Sequence, residues 1–208
     1  MVEQFLDTTA EKELIINGRE LKYKGIFQAD RLFASLNRAL EERGYTKREK
    51  RSEELVTEKG RKTYLELRPY KIKSNYLALM LKIRIYLDKV QEARVQEAAG
   101  REDYSPLQLQ QGDVNIYFDA WILTDWESRW SMSPFTFFLK GFINKFLYIF
   151  PLEAGARGEL VGDTAYIYAK VKKFLLSYRP AEAKPVREEE IRRQMEKEIT
   201  QEMKAGAE

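Results

Sequence analysis

Three acidic residues are the most chemically suggestive feature of the chain. Asp119, Asp125 and Glu127 lie close in sequence, with Arg129 and the tryptophans Trp126 and Trp130 beside them. Two carboxylates two residues apart near a strand end could hold a hard cation such as Mg²⁺ or Ca²⁺, or divide acid and base roles. The same cluster is also the ordinary make-up of a solvated corner in which a guanidinium stacks on an indole. One acidic pair without a second constellation is not a site, so no catalytic or metal-ligating residue is assigned and no cofactor is expected. The chain has neither histidine nor cysteine. That removes imidazole bases, thiolate nucleophiles, disulfides, and zinc or haem sites built on those side chains.

A second group is defined by alternation. Leu77, Leu79, Leu81, Ile83, Ile85 and Leu87 fall on one face of a strand, and Tyr76, Met80, Lys82, Arg84 and Tyr86 on the other. Val114, Ile116, Phe118, Ala120 and Ile122 repeat the apolar face on a partner strand, with Asn115, Tyr117, Asp119, Trp121 and Leu123 opposite. Arg84, Tyr86, Tyr117, Asp119 and Trp121 thus share an outer face that is at least half wet. A cross-strand pair of Asp119 with Arg84 or Lys82 among aromatics would stabilise the sheet. The same face could receive a ligand or peptide.

A third group is basic. Residues 43–73 carry eleven Lys or Arg against five Glu, interleaved with Tyr45, Tyr64 and Tyr70. Lys47, Arg48, Lys50, Arg51, Arg61 and Lys62 are the candidate phosphate contacts. Lysines on a strand edge also discourage sheet-to-sheet pairing, and the chain has no RNP-type aromatic motif, GXXG clamp or helix-turn-helix pattern. A fourth group, Ile191, Met195, Ile199 and Met203, recurs every fourth residue on a charged helix. Such a stripe can dock on its own domain, pair with a second copy or enter a partner's groove.

These groups need elements to position them. Short strands are expected at 13–17 and 20–24 around a turn at Gly18, then a helix from Ala29 to about Arg43 stopped by Gly44. A hairpin follows, with strands 47–57 and 62–72, the second at an edge or bent at Pro69. Residues 90–112 show no strand period and read as a mobile connection. Ser133 and Pro134 are a cap and first-turn pair for a helix whose Phe135, Phe138, Leu139, Phe142, Phe146, Ile149 and Phe150 share an arc. A loop from Pro151 to Gly158 then leads to a second helix, making an aromatic hairpin. The run 134–152 is interrupted by Lys140, Gly141, Asn144 and Lys145 and is too polar to span a membrane; a buried helix is expected, with in-plane membrane association as the other reading.

The fold class expected is α+β: an antiparallel sheet of about four to six strands covered by one N-terminal helix and a C-terminal aromatic helical hairpin, plus a charged tail helix. Residues 1–12 are a loose lead-in, 13–179 one domain and 180–208 the tail. The chain of 208 residues suits one domain, and 36 basic against 33 acidic residues gives no global pull toward nucleic acid or membrane. The Lys, Glu and Arg content without cysteine is thermophile-like. The N-terminus lacks a secretory pattern, which suggests the cytoplasm.

The run GDVNIYFDAWILTDWESRW followed by SPFTFFLKGFINKFL resembles uncharacterised small archaeal α+β proteins, with Arg129, Trp130, Ser133 and Pro134 carrying the pattern across roughly 14–178. The resemblance implies an archaeal origin and no activity. The order of elements is also similar to helix-grip folds, an analogy of fold alone. The function expected is that of a non-enzymatic interaction or scaffold protein using the tail helix, for a protein partner or self-association, together with the exposed aromatic or basic sheet faces. The alternatives are an apolar-ligand carrier of helix-grip type and an RNA- or ribosome-associated factor.

Overall fold

The computed structural model describes residues 11–58, 60–74, 77–93, 109–124, 138, 142, 151–178 and 187–205. In chain order the elements are β1 (Glu11–Phe27), α1 (Ala29–Glu42), β2 (Glu49–Thr57), β3 (Gly60–Leu67), β4 (Tyr70–Ile72), β5 (Leu77–Glu92), β6 (Gln110–Thr124), α2 (Pro151–Leu176) and α3 (Glu188–Ala205). The fold is α+β. Its six strands form one open antiparallel sheet in the order β1-β6-β5-β3-β2, with β4 also on β5. Three long helices accompany it among the described residues.

The two alternating strands are the centre of this sheet. In β5 and β6, Leu79, Leu81, Ile83, Ile85, Val114, Ile116, Phe118 and Ala120 are buried on one face against the helices. β5 pairs with β6 as expected, with Leu81 opposite Ala120 and Ile83 opposite Phe118. A run of β-branched and aliphatic side chains at period two fixes this register, because a slip of one residue would turn all of them outward.

β3 and β4 are successive segments along the same side of β5. Leu67 stands opposite Ile83 and Tyr70 opposite Met80. Pro69 sits between them, and its carbonyl accepts from Leu81 N–H at 2.9 Å. The return strand is therefore bent at Pro69, where proline has no N–H to give, and the edge position passes to β2.

Several expectations are corrected. The two short strands around Gly18 are one strand, β1, of 17 residues. Gly18 lies in an irregular stretch where the pairing with β6 shifts between Ile16 and Arg19, and its φ of 63° takes up the bulge. The expected connection at 90–112 is strand at both ends, with Glu92 opposite Gln110 and Ala93 N–H bonded to the Leu109 carbonyl. Its centre, with the expected mobility, lies outside the described residues. The expected loop after Pro151 is helical: α2 starts at Pro151, where a missing N–H costs nothing, and runs 26 residues. The preceding helix start at Ser133 and Pro134 lies outside the described residues. Phe138 and Phe142 are helical, but exposed rather than turned to a core.

α1 follows its expected span, and its Leu32, Leu36 and Leu40 are buried in the same core as the sheet. Gly44, at φ 73°, ends it. α1 packs on α2, and α2 lies over β1, β6 and β5. The tail helix α3 is docked: it packs on α2, with Ile191, Met195 and Ile199 buried and Met203 packed against the core. Arg19, the helix-side residue of β1 opposite Phe118, forms ion pairs with Glu198 and Glu202 of α3. Of the roles open to the tail stripe, docking in cis is the one observed.

Candidate functional site

The helices cover one face of the sheet, and the polar alternates of β5 and β6 line the other. On this open face the register places Lys82 opposite Asp119, Arg84 opposite Tyr117 and Tyr86 opposite Asn115. β3 adds Glu66 opposite Arg84 and Tyr64 opposite Tyr86, and β1 adds Glu20 opposite Tyr117. Arg84, Tyr86, Tyr117 and Asp119 are therefore brought together as expected.

Asp119 is the anchor. Only 5% exposed, it accepts the Gly18 N–H at 2.6 Å on one oxygen and Arg84 Nη2 at 2.8 Å on the other. The β1 irregularity thus delivers a backbone donor to a buried carboxylate, and the carboxylate orients Arg84. Arg84 remains 30% exposed and lies 5.5 Å from the Tyr117 ring centroid. Its Nε is buried without an acceptor among the described residues.

The tyrosines form a row across three strands. Tyr64 and Tyr86 have ring centroids 4.9 Å apart, and Tyr86 meets Tyr117 edge-on at 5.8 Å. Two hydroxyls are tied to acids: Tyr117 donates to Glu20 at 2.6 Å and Tyr64 to Glu66 at 2.8 Å. Burial, with Glu66 beside it, pushes the Tyr64 hydroxyl up to about 12. Hydrogen bonds from Lys22 and Tyr117 hold Glu20 below the usual carboxylate range. Burial pushes Glu66 the other way, but the hydrogen bonds from Arg68 and Tyr64 prevail and lower it. These bonds hold the Tyr64 and Tyr117 rings in place. Beside them runs an open groove of about 490 Å³ lined by Gly18, Arg84, Tyr86, Asp88, Asn115 and Tyr117. No protein-family model, curated protein or solved structure matches the chain.

Trp121 stands apart from this group. It pairs with Met80 near the other end of the face, in a small apolar cluster with Ala78, Leu123 and Tyr70. Met80 and Leu123, expected on the wetter face, are buried there. Tyr76 lies outside the described residues, as do Asp125, Glu127, Arg129, Trp126 and Trp130. Asp119 has both oxygens engaged, and among the described residues no cluster of three acidic side chains is placed to hold a metal ion.

Three of the six basic candidates face carboxylates. Arg51 binds Glu53 at 2.5 Å, Arg61 lies 3.3 Å from Glu54, and Lys62 is 3.9 Å from Asp88. Arg48 is engaged through its carbonyl, which accepts from Arg68 N–H. Lys47 and Lys50 are exposed. Cations already facing carboxylates release few counterions on meeting a phosphate chain, and counterion release is what drives such binding.

Tyr64, Glu66, Glu20 and Gly18 were not among the expected site residues. The alternation of Thr63, Leu65 and Leu67 toward the core carries the signal for Tyr64 and Glu66. A second polar cluster was also missed, between β4 and α2: Lys71 Nζ lies 2.6 Å from Glu159 and 3.1 Å from Asp163, and Arg43 lies 3.8 Å from Asp163. Burial pushes the Asp163 carboxyl above the usual range, against the pull of Lys71 and Arg43. Its spacing, Glu159 and Asp163 one turn apart inside an apolar helix, was legible. This cluster clamps the helix to the sheet and opens on no described groove.

Proposed function

We propose that the protein is a non-enzymatic binding protein that engages a partner on the open face of its sheet, at the groove beside Arg84, Tyr86 and Tyr117. The observation that carries this reading is the row of tyrosines held by acids next to an arginine oriented from beneath by buried Asp119. Rigid aromatic groups and arginine are the residues that most often dominate protein recognition, and groups fixed beforehand lose little entropy on binding. The groove's lining of arginine, asparagine, acid and phenol favours a polar or peptide partner over an apolar ligand. Its paired charges favour a protein over RNA. Membership among small archaeal α+β proteins and a cytoplasmic location belong to the same proposal, supported by the order of elements and the composition. Among the described residues no helix is long and apolar enough to cross a membrane.

The test is capture from the native source with the wild type and with Tyr86→Ala/Asn115→Ala, both shown to be folded at the temperature of capture. A stoichiometric species retained by the wild type and lost with the variant supports the reading. Equal retention by both chains contradicts it.

A further inference from the structure

An edge strand carries its own inference, independent of the open sheet face. β2 ends the sheet, paired with β3 on one side and, among the described residues, with no strand on the other. Of its nine residues all but Thr57 are exposed, Leu55 by 61% and Val56 by 79%. The outward backbone N–H and C=O groups of such a strand are a template for another. The far edge suits a partner less well, because the pairing of β1 shifts between Leu14 and Ile16 and again between Ile16 and Arg19, and bulges twist an edge away. The pairing of β2 is regular from Arg51 to Thr57.

The charges of the strand select what can fill the edge. It reads Lys50, Arg51, Ser52, Glu53, Glu54, two bases and two acids on either side of a serine. We propose that β2 pairs antiparallel with β2 of a second copy of the chain, about a two-fold axis at Ser52. Arg51 then stands opposite Glu53 of the second copy and Lys50 opposite its Glu54, and the symmetry makes each pair twice. Parallel pairing in register would set like charges side by side instead. In the single chain Arg51 turns along its own strand to Glu53 at 2.5 Å, and Arg61 reaches Glu54 at 3.3 Å. Exposed pairs of this kind contribute little, so Arg51 and Glu53 can exchange partners across the axis at small cost. Leu55 and Val56 point to opposite faces of the sheet, and each comes diagonal to a long aliphatic stem, that of Arg51 or Lys50 of the second copy. Lysines blunt an edge against strands of other sequence. Here the acids that follow make the strand complementary to itself in one direction.

The experiment is sedimentation velocity on the full chain over a range of concentrations. The wild type is expected to pass from one chain to two as concentration rises, and less readily at high salt. Arg51→Glu and Glu53→Arg each set like charges opposite one another, and each is expected to weaken the dimer about tenfold or more. Both side chains are exposed, 60% and 55%, so both variants are expected to keep the circular-dichroism spectrum of the wild type. An equimolar mixture of the two variants brings opposite charges together again and is expected to associate as the wild type does. The proposal is overturned if the wild type stays a single chain at every concentration, as it would were β2 covered by another part of its own chain. It is also overturned if Arg51→Glu associates as the wild type does, which would place the contact on another surface, or if the mixture associates no better than either variant alone.

Discussion

Asp119 bonds to Arg84 at 2.8 Å although Lys82 is the residue directly opposite it on β5. The diagonal choice follows from the second acceptor site, which the Gly18 N–H occupies at 2.6 Å. A planar guanidinium reaching along the strand completes the carboxylate's shell and lies under the tyrosines, which a lysine ammonium could not do as well. Removing the carboxylate with Asp119→Ala strands a half-buried guanidinium and a backbone donor. Solvent reaches Arg84, so the loss is expected to be about 1–3 kcal/mol rather than the larger cost of a fully buried pair. Urea unfolding measures it, and Arg84→Ala, which leaves the buried Asp119 carboxylate with only the Gly18 N–H, is expected to cost at least as much.

Gly18 makes that bond from a φ of 63°. Alanine there leaves contact space, since an added Cβ would lie 4.0 Å from Asp119 Oδ1, but it must adopt the left-handed region. Gly18→Ala is expected to cost about 1–2 kcal/mol, and Gly18→Asn less. Equal stability of the alanine and asparagine variants would show that the backbone conformation is not what matters at this position.

Docking in cis makes the tail helix part of the core. With Met195 and Ile199 in the core, Met195→Ala and Ile199→Ala are each expected to cost about 2–5 kcal/mol. Deleting 186–208 should lower the melting temperature steeply. A truncated chain that melts with the full-length protein would show that α3 leaves its seat in solution.

The Lys71, Glu159 and Asp163 clamp makes stability depend on pH in opposite senses. Asp163 has its pKa raised by burial, so the folded state binds its proton more readily than the unfolded chain. Its contribution is complete below the usual carboxylate range and is lost as pH rises through the raised value. Glu159 is lowered, as the hydrogen bonds from Lys71 and Lys73 outweigh burial, and its contribution is lost as pH falls through its own value. Asp163→Asn should therefore be within about 1 kcal/mol of the wild type at neutral pH, since one burial cost and one ion pair are removed together. On acidification to just above the usual carboxylate range the wild type should gain on the variant. Denaturant midpoints of the two chains across that range give the comparison, and a constant difference would contradict the assignment.

The centre of the fold was legible because eleven residues of strict alternation leave β5 one possible orientation, and the Arg84 to Asp119 pair followed from it. Gly18 was misread for a physical reason: a positive φ serves a turn and a bulge alike, and only the pairing with β6 decides between them. Docking of Ile191, Met195 and Ile199 on their own domain was one of three readings of the stripe, and the choice among them depends on how wide the apolar arc of α2 is. Ala165 and Ala169, both buried, widen that arc, and Gly162, whose Cβ position is 3.9 Å from Glu196 of α3, leaves room for the second helix. Small residues carry little weight in a hydrophobic stripe. The paired state of Arg51, Arg61 and Lys62 was out of reach for the same kind of reason, since each partner depends on strand register.

A partner seated on the open sheet face would cover Tyr86 and Tyr117 in the cell. Hydroxyl-radical footprinting measures it directly, by comparing oxidation of Tyr64, Tyr86 and Tyr117 in the purified protein and in fresh extract of the native source. Tyr86 and Tyr117 are expected to be protected in the extract, while tyrosines on the helix side, such as Tyr166, are oxidised equally in both. Equal oxidation of Tyr86 and Tyr117 in the two samples would contradict it.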